Sequence, residues 1–180
     1  PPFGVELKVV NDHGEKVAFG SEQSGRLMVK GLAIVGSYFR GEGGDILDGD
    51  GFFDTGDVAT IDEHGAMKIT DRAKDVIKSG GEWISSIELE NIALSHPDVA
   101  NAAAIGIPHP KWDERPILIL EARPGATVTS KAMQEFLSDK IAKWWMPDAF
   151  LLIDQLPLGS TGKINKLKLR EMYADGLIGT

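Results

Sequence analysis

One stretch limits what this chain can fold into more than any other. Residues 99–107 (VANAAAIGI) form a nearly continuous apolar run, which reads as a strand. A second run follows at 117–122 (ILILEA), and 150–153 (FLLI) reads as a third, short strand. Helical patterns lie around them. Ser85, Ser86, Ile87 and Glu88 form a capping box that opens a helix to about His96. Residues 130–142 place Met133, Phe136, Leu137 and Ile141 at helical spacing, and 166–173 make a last helix. Strands interleaved with helices predict a small α/β or α+β unit.

The first third has a different texture. Residues 5–10 (VELKVV) alternate roughly and end at the turn signal Asn11-Asp12-His13-Gly14. Residues 25–30 are a second strand candidate, 40–51 (RGEGGDILDGDG) a loop. Residues 57–61 and 66–70, joined by Asp62-Glu63-His64-Gly65, predict a hairpin.

A chain of 180 residues suits one or two domains with a real core. A 42% hydrophobic share with 26% charged residues is an ordinary globular balance. The absence of cysteine excludes disulfides and thiolate metal sites, and suits a reducing, cytoplasmic setting. The start, Pro1-Pro2-Phe3-Gly4-Val5, has neither a basic segment nor a long apolar run, so neither a signal peptide nor a membrane span is expected. The net charge of -8 sits mostly in residues 1–71, which hold 6 Lys/Arg against 13 Asp/Glu. No strong basic field is left for nucleic acid, apart from the short patch Lys163, Lys166, Lys168 and Arg170. The four histidines are too scattered to suggest a metal site, and none is expected.

Three segments carry chemistry. The first is Leu156-Pro157-Leu158-Gly159-Ser160-Thr161-Gly162-Lys163, a Gly-rich loop with one lysine. It is not a P-loop, because Gly159 and Gly162 are too close and Ile164 stands where a magnesium-binding hydroxyl is needed. Lys163 is a compact, adjustable cation suited to phosphate or carboxylate chemistry; read alone, it is also a solvated turn lysine. The second segment is Thr55-Gly56-Asp57 at a strand start. Its carboxylate can accept two hydrogen bonds from a vicinal diol such as ribose, or cap a turn. The third is Asp71-Arg72-Ala73-Lys74-Asp75. The intervening hairpin brings Asp57 and Arg72 toward one end of a sheet, within reach of one nucleotide; the alternative is a surface ion pair among Asp71, Arg72 and Asp75.

Taken together, these segments resemble the adenylate-forming superfamily of acyl-CoA synthetases, peptide-synthetase adenylation domains and luciferases. Gly56-Asp57 resembles its ribose-binding motif and Asp71-Arg72-x-Lys74 its arginine-plus-hinge motif. Residues 79–84 (SGGEWI) with Glu88-Leu89-Glu90 resemble the loop and helix that follow, and Thr161-Gly162-Lys163 the terminal lysine motif. Finer matches at 80–86 (GGEWISS), 108–116 (PHPKWDERP) and 143–147 (KWWMP) resemble the branch acting on medium- and long-chain fatty acids, and equally a sister branch activating 3-methylthiopropionate. Ser86 replaces a common proline and Gly159 a common threonine; neither change removes a catalytic group.

The resemblance implies an α+β chain in three parts. Residues 1–71 would be the β-rich end of a large domain (a distorted β-barrel subdomain), 72–75 the hinge with Lys74 at its centre, and 76–180 a small C-terminal α/β lid domain. The remainder of the large domain would precede Pro1 in a longer parent, and a homodimer of that parent stays open. The implied reaction joins a carboxylic acid to CoA through an acyl-adenylate, with ATP, Mg2+ and CoA as cofactors and co-substrates. Lys163 would be the adenylation lysine, and Asp57 and Arg72 would bind nucleotide. Lys78, Ser79, Gly80, Gly81, Glu82 and Trp83 would line the path of CoA's pantetheine arm, where residues without side chains allow close approach. Trp83 also reads as core, His109 as turn punctuation, and Arg115 as a candidate CoA-phosphate ligand. Two other readings remain: a stand-alone nucleotide- or CoA-binding module, and a structural β tail.

Overall fold

The computed structural model describes residues 3–21 and 23–173. The chain divides after Lys74 into two compact units.

In the first unit, β1 (Val5–Val10), β2 (Gly25–Gly31), β3 (Phe53–Ile61) and β4 (Met67–Arg72) form an antiparallel sheet in chain order. Two turns use one device. Asn11 Oδ1 accepts from the His13 and Glu15 N–H groups, and Asp62 Oδ1 accepts from those of His64 and Ala66. Such Asx turns explain why NDHG and DEHG end strands. Val9, Val17, Leu27, Ala59 and Ile61 make the core. In the β2–β3 connection, the Lys8 ammonium donates to Asp48 at 2.6 Å. That bond, helped by the Phe52 N–H, holds the Asp48 carboxyl below its ordinary value. β3 opens at Phe53, so Asp57 lies inside the strand rather than at its start. The β3–β4 register slips one residue beyond Asp57, between Val58 and Ala59.

The second unit runs β5 (Ile77–Ser79), β6 (Glu82–Ile84), α1 (Ser86–Leu94), β7 (Val99–His109), β8 (Asp113–Ala122), α2 (Ser130–Ser138), β9 (Ala149–Leu152) and α3 (Lys166–Met172). The sheet order is β6-β5-β8-β7, and β9 pairs in parallel with β8. β8 is the hub, antiparallel to β7 and β5.

The apolar runs now have a reason. Ala102, Ala104, Leu118 and Leu120 pack with Leu89 and Ala93 of α1 and with Met133 and Leu137 of α2. Their neighbours Ala103, Ile105, Ile117 and Ile119 pack with Leu156 and with Leu169 of α3. Side chains of a strand alternate between faces, so helices on both faces leave no polar side to the strand. Ser85 Oγ accepts from the Glu88 N–H at 3.1 Å and caps α1 as expected. α1 stops at Leu94, ahead of Pro97, which disfavours helix in the residue before it. Among the described residues no helix is long and apolar enough to cross a membrane.

Candidate functional site

Asp57 and Arg72 are directly opposite across β3 and β4, and Arg72 Nε lies 3.0 Å from Asp57 Oδ1. The Asp57 side chain is 19% exposed and that of Arg72 60%, so the pair has a held end and a free end. Local chemistry fixes Asp57. Thr55 Oγ1 donates to the Leu27 carbonyl and accepts from the Asp57 N–H at 3.1 Å. Gly56 supplies a φ of 72°, a left-handed value that glycine adopts freely. Its N–H is taken by Asp54 Oδ1, and Asp54 in turn pairs with Arg26. The surface ion pair among Asp71, Arg72 and Asp75 does not form in that way. Asp71 is buried, with Oδ1 accepting from the Arg72 N–H, while Asp75 pairs with Arg170 at 3.0 Å.

Lys74 is exposed and is the last residue of the first unit. Just beyond it, Ser79 and Glu82 pair across a two-residue turn, Gly80-Gly81, with φ of 63° and 86°. Both left-handed values are the signature of a type I′ hairpin, so SGGEW is a pair of strands and not an open loop. The two glycines differ. A Cβ on Gly80 would sit 2.9 Å from Trp112 Cε3, whereas one on Gly81 would meet nothing. Gly81 is therefore the open side of the turn. Lys78 lies opposite Trp83, and its ammonium stacks 5.2 Å from the centre of the indole. That contact occupies both residues: Trp83 is half-buried and works as a platform for Lys78. Glu82 is exposed.

Lys163 projects from a closed turn. The Gly162 N–H donates to Gly159 O at 3.0 Å, the Gly159 N–H to Lys163 O at 2.7 Å, and Leu158 bridges to Ile164. Both flanks are anchored. The buried Leu156 gives its N–H to Glu121 at 3.1 Å. After the turn, the Lys166 ammonium meets Glu90 Oε1 and Ser86 Oγ, each at 2.7 Å. Lys163 itself is exposed, and its ammonium makes no ion pair or hydrogen bond to the described residues. A cation on a braced turn, with no partner among the described residues, is available to an anionic ligand.

The structure thus places Asp57 beside Arg72 in one unit, and the Lys78–Trp83 hairpin and Lys163 in the other. Within the second unit the hairpin is tied to Asp113, at the start of β8, and the flank of Lys163 to Glu121. These ties are eight residues apart, about 26 Å along a strand. Arg115 corrects the sequence reading. It donates to Asp148 Oδ1 (3.0 and 2.8 Å), Ser79 Oγ (3.1 Å), Trp144 O (2.9 Å) and Met146 O (2.9 Å). Those contacts use all the donors of a guanidinium, so none is left for a CoA phosphate. The sequence held a signal for this: an arginine beside a proline in an apolar strand has to find buried partners. His109 Nδ1 accepts from the Lys111 and Trp112 N–H groups and holds the β7–β8 turn.

Residues 88–163 match the family model of the AMP-binding enzyme C-terminal domain. Among its relatives, the 3-methylmercaptopropionyl-CoA ligase of Ruegeria lacuscaerulensis is 52% identical over 99% of this chain. The medium-chain-fatty-acid–CoA ligase of Ectopseudomonas oleovorans is 50% identical over 99% of it. The chain spans about a third of the length of each, 33% and 32%. Among solved structures, ATP-bound MatB from Rhodopseudomonas palustris matches with a TM-score of 0.82 and 32% identity, over 96% of this chain and 34% of that one.

Proposed function

We propose that the chain is part of an ATP-dependent carboxylic acid:CoA ligase that forms an acyl-adenylate and then an acyl-CoA thioester. The observation that carries this reading is Lys163: an exposed ammonium with no partner among the described residues, on a turn fixed at both flanks, at the end of the stretch that matches the AMP-binding enzyme C-terminal domain. In the first half-reaction a carboxylate attacks the α-phosphate of ATP and pyrophosphate leaves. Two anions must meet, and Lys163 neutralises the charge that builds on their oxygens. The Asp57 carboxylate accepts from the ribose hydroxyls, and Arg72, whose outer end is free, turns to the nucleotide's phosphate. Mg2+ assists ATP in such chemistry; among the described residues no cluster of three or more His, Asp or Glu offers it a site. In the second half-reaction the CoA thiol attacks the mixed anhydride and AMP leaves. The open face of Gly81 gives the pantetheine chain a close approach.

The flank of Lys163, at Leu156, and the Gly80-Gly81 turn are tied to different ends of β8, which supports a reading in which the second unit reorients between the steps. We place the hinge at Lys74, the boundary residue. In this reading the first unit is the β end of a large domain whose remaining parts bind ATP and the acid, and the second unit is its lid, in a cytoplasmic enzyme. The acid is a fatty acid of medium or long chain. A second reading, 3-methylthiopropionate, is favoured by the 52% identity to ligases of that acid, against 50% for the medium-chain enzyme.

The test is ATP–pyrophosphate exchange and thioester formation by the full-length protein across a panel from 3-methylthiopropionate to long-chain fatty acids. Exchange that depends on one class of acid, with thioester formed on adding CoA, is expected. AMP or CoA binding without exchange for any acid would leave only a binding module.

A further inference from the structure

Arg115 has no assigned part in the reaction, yet its guanidinium makes five hydrogen bonds beside the Ser79–Glu82 hairpin. Its side chain is 14% exposed. One edge of the guanidinium grips Ser79 Oγ and Trp144 O, the other Met146 O and the Asp148 carboxylate. Asp148 is itself fixed, since its N–H donates to Pro116 O at 2.9 Å. The same stretch of β8 and its turn holds the hairpin twice more. The Gly80 N–H donates to Trp112 O at 2.8 Å, and the Lys78 N–H to Glu114 Oε2 at 3.0 Å. Gly106 makes room for this: a Cβ there would lie 2.6 Å from Glu114 Oε2. Asp113, between these anchors, takes a φ of 69°, a left-handed value that aspartate tolerates.

The backbone bonds from Trp112 and Glu114 fix the height of the hairpin on β8. Arg115 ties it sideways, to the segment from Trp144 to Asp148. We propose that Arg115 is a positioning residue that sets the Gly80-Gly81 turn against the Trp144–Asp148 segment, so that CoA use depends on a guanidinium that never touches CoA. This rests on the reading of the hairpin as the CoA loop. Lysine cannot replace it: an ammonium keeps the charge for Asp148 but has three donors on one atom and cannot span from Ser79 to Met146.

The experiment has two arms. In the full-length ligase, Arg115→Lys and Asp148→Asn are compared with the unchanged protein for pyrophosphate exchange and for the KM of CoA, using the best acid of the panel. Arg115→Lys is expected to raise the KM for CoA or slow thioester formation by about 10–100-fold, the cost of a loop displaced by about an ångström, while exchange stays within about twofold. Asp148→Asn keeps an oxygen acceptor and is expected to give a smaller effect in the same direction. Equal loss of both half-reactions, or no change in CoA use, overturns the proposal. The second arm is amide hydrogen exchange at residues 78–81 of the 180-residue chain, which needs no turnover. Arg115→Lys is expected to speed it by about tenfold, with protection of β7 unchanged. Unchanged exchange at 78–81 overturns the positioning role. If the unchanged protein makes no thioester from any acid but exchange at 78–81 responds, the ligase reading has failed and the anchoring by Arg115 stands.

Discussion

At the scale of single residues, two adjacent glycines do different work. Gly80 and Gly81 both take left-handed backbone, but only Gly80 faces another side chain, that of Trp112. Gly81→Ala is expected to cost about 1 kcal/mol, the penalty of placing a Cβ at positive φ. Gly80→Ala adds a clash with the indole 2.9 Å away and is expected to cost about 1–3 kcal/mol more. Urea unfolding of both variants checks this, and equal midpoints would contradict the packing described. The roles expected of Asp57, Arg72 and Lys163 rested on the family resemblance, since each residue read alone also fits a turn or a surface charge. Their pairing was only partly legible: the Asp57–Arg72 pair depends on a register slip after Asp57 that no local signal announces. Arg115 was misread because its setting beside Pro116 in an apolar strand, which calls for buried partners, was not weighed, and sequence does not show which partners take its donors.

Single elements follow from local patterns wherever one rule dominates. Ser85 caps α1, Asn11 and Asp62 close their turns, and the apolar runs at 99–107 and 117–122 lie inside β7 and β8. Sequence fell short where elements depend on a neighbour. β5 and β6 have three residues each and exist through pairing with each other and, at Ser79, with β8. The outer ends of β7 and β8 contain Pro108 and Pro116, whose missing N–H argues against a strand until the hairpin's register is known. Ser85→Ala is expected to destabilise the second unit by about 1 kcal/mol through loss of the cap, and Ser85→Asp to restore most of it. Chemical denaturation monitored by circular dichroism checks this; an Ala variant as stable as the original would mean the Glu88 N–H finds another acceptor at no cost.

At the scale of the whole molecule, each unit has, among the described residues, a packed core of its own. A unit with its own packed core can move as a body without breaking that packing. This makes the proposed division of labour physically feasible, in which the Lys163 turn would serve adenylation, the Gly80-Gly81 turn thioester formation, and the hinge would exchange them. The most direct test measures each half-reaction separately in full-length Lys163→Ala. Acyl-adenylate formation is expected to fall by about 10²–10³-fold, the loss of one positioned electrostatic donor. Thioester formation from CoA and supplied acyl-adenylate is expected to stay within about twofold of the unchanged enzyme, because the proposed mechanism gives Lys163 no part in that step. If both half-reactions fall together, or adenylation persists, Lys163 is not the adenylation lysine and the account fails.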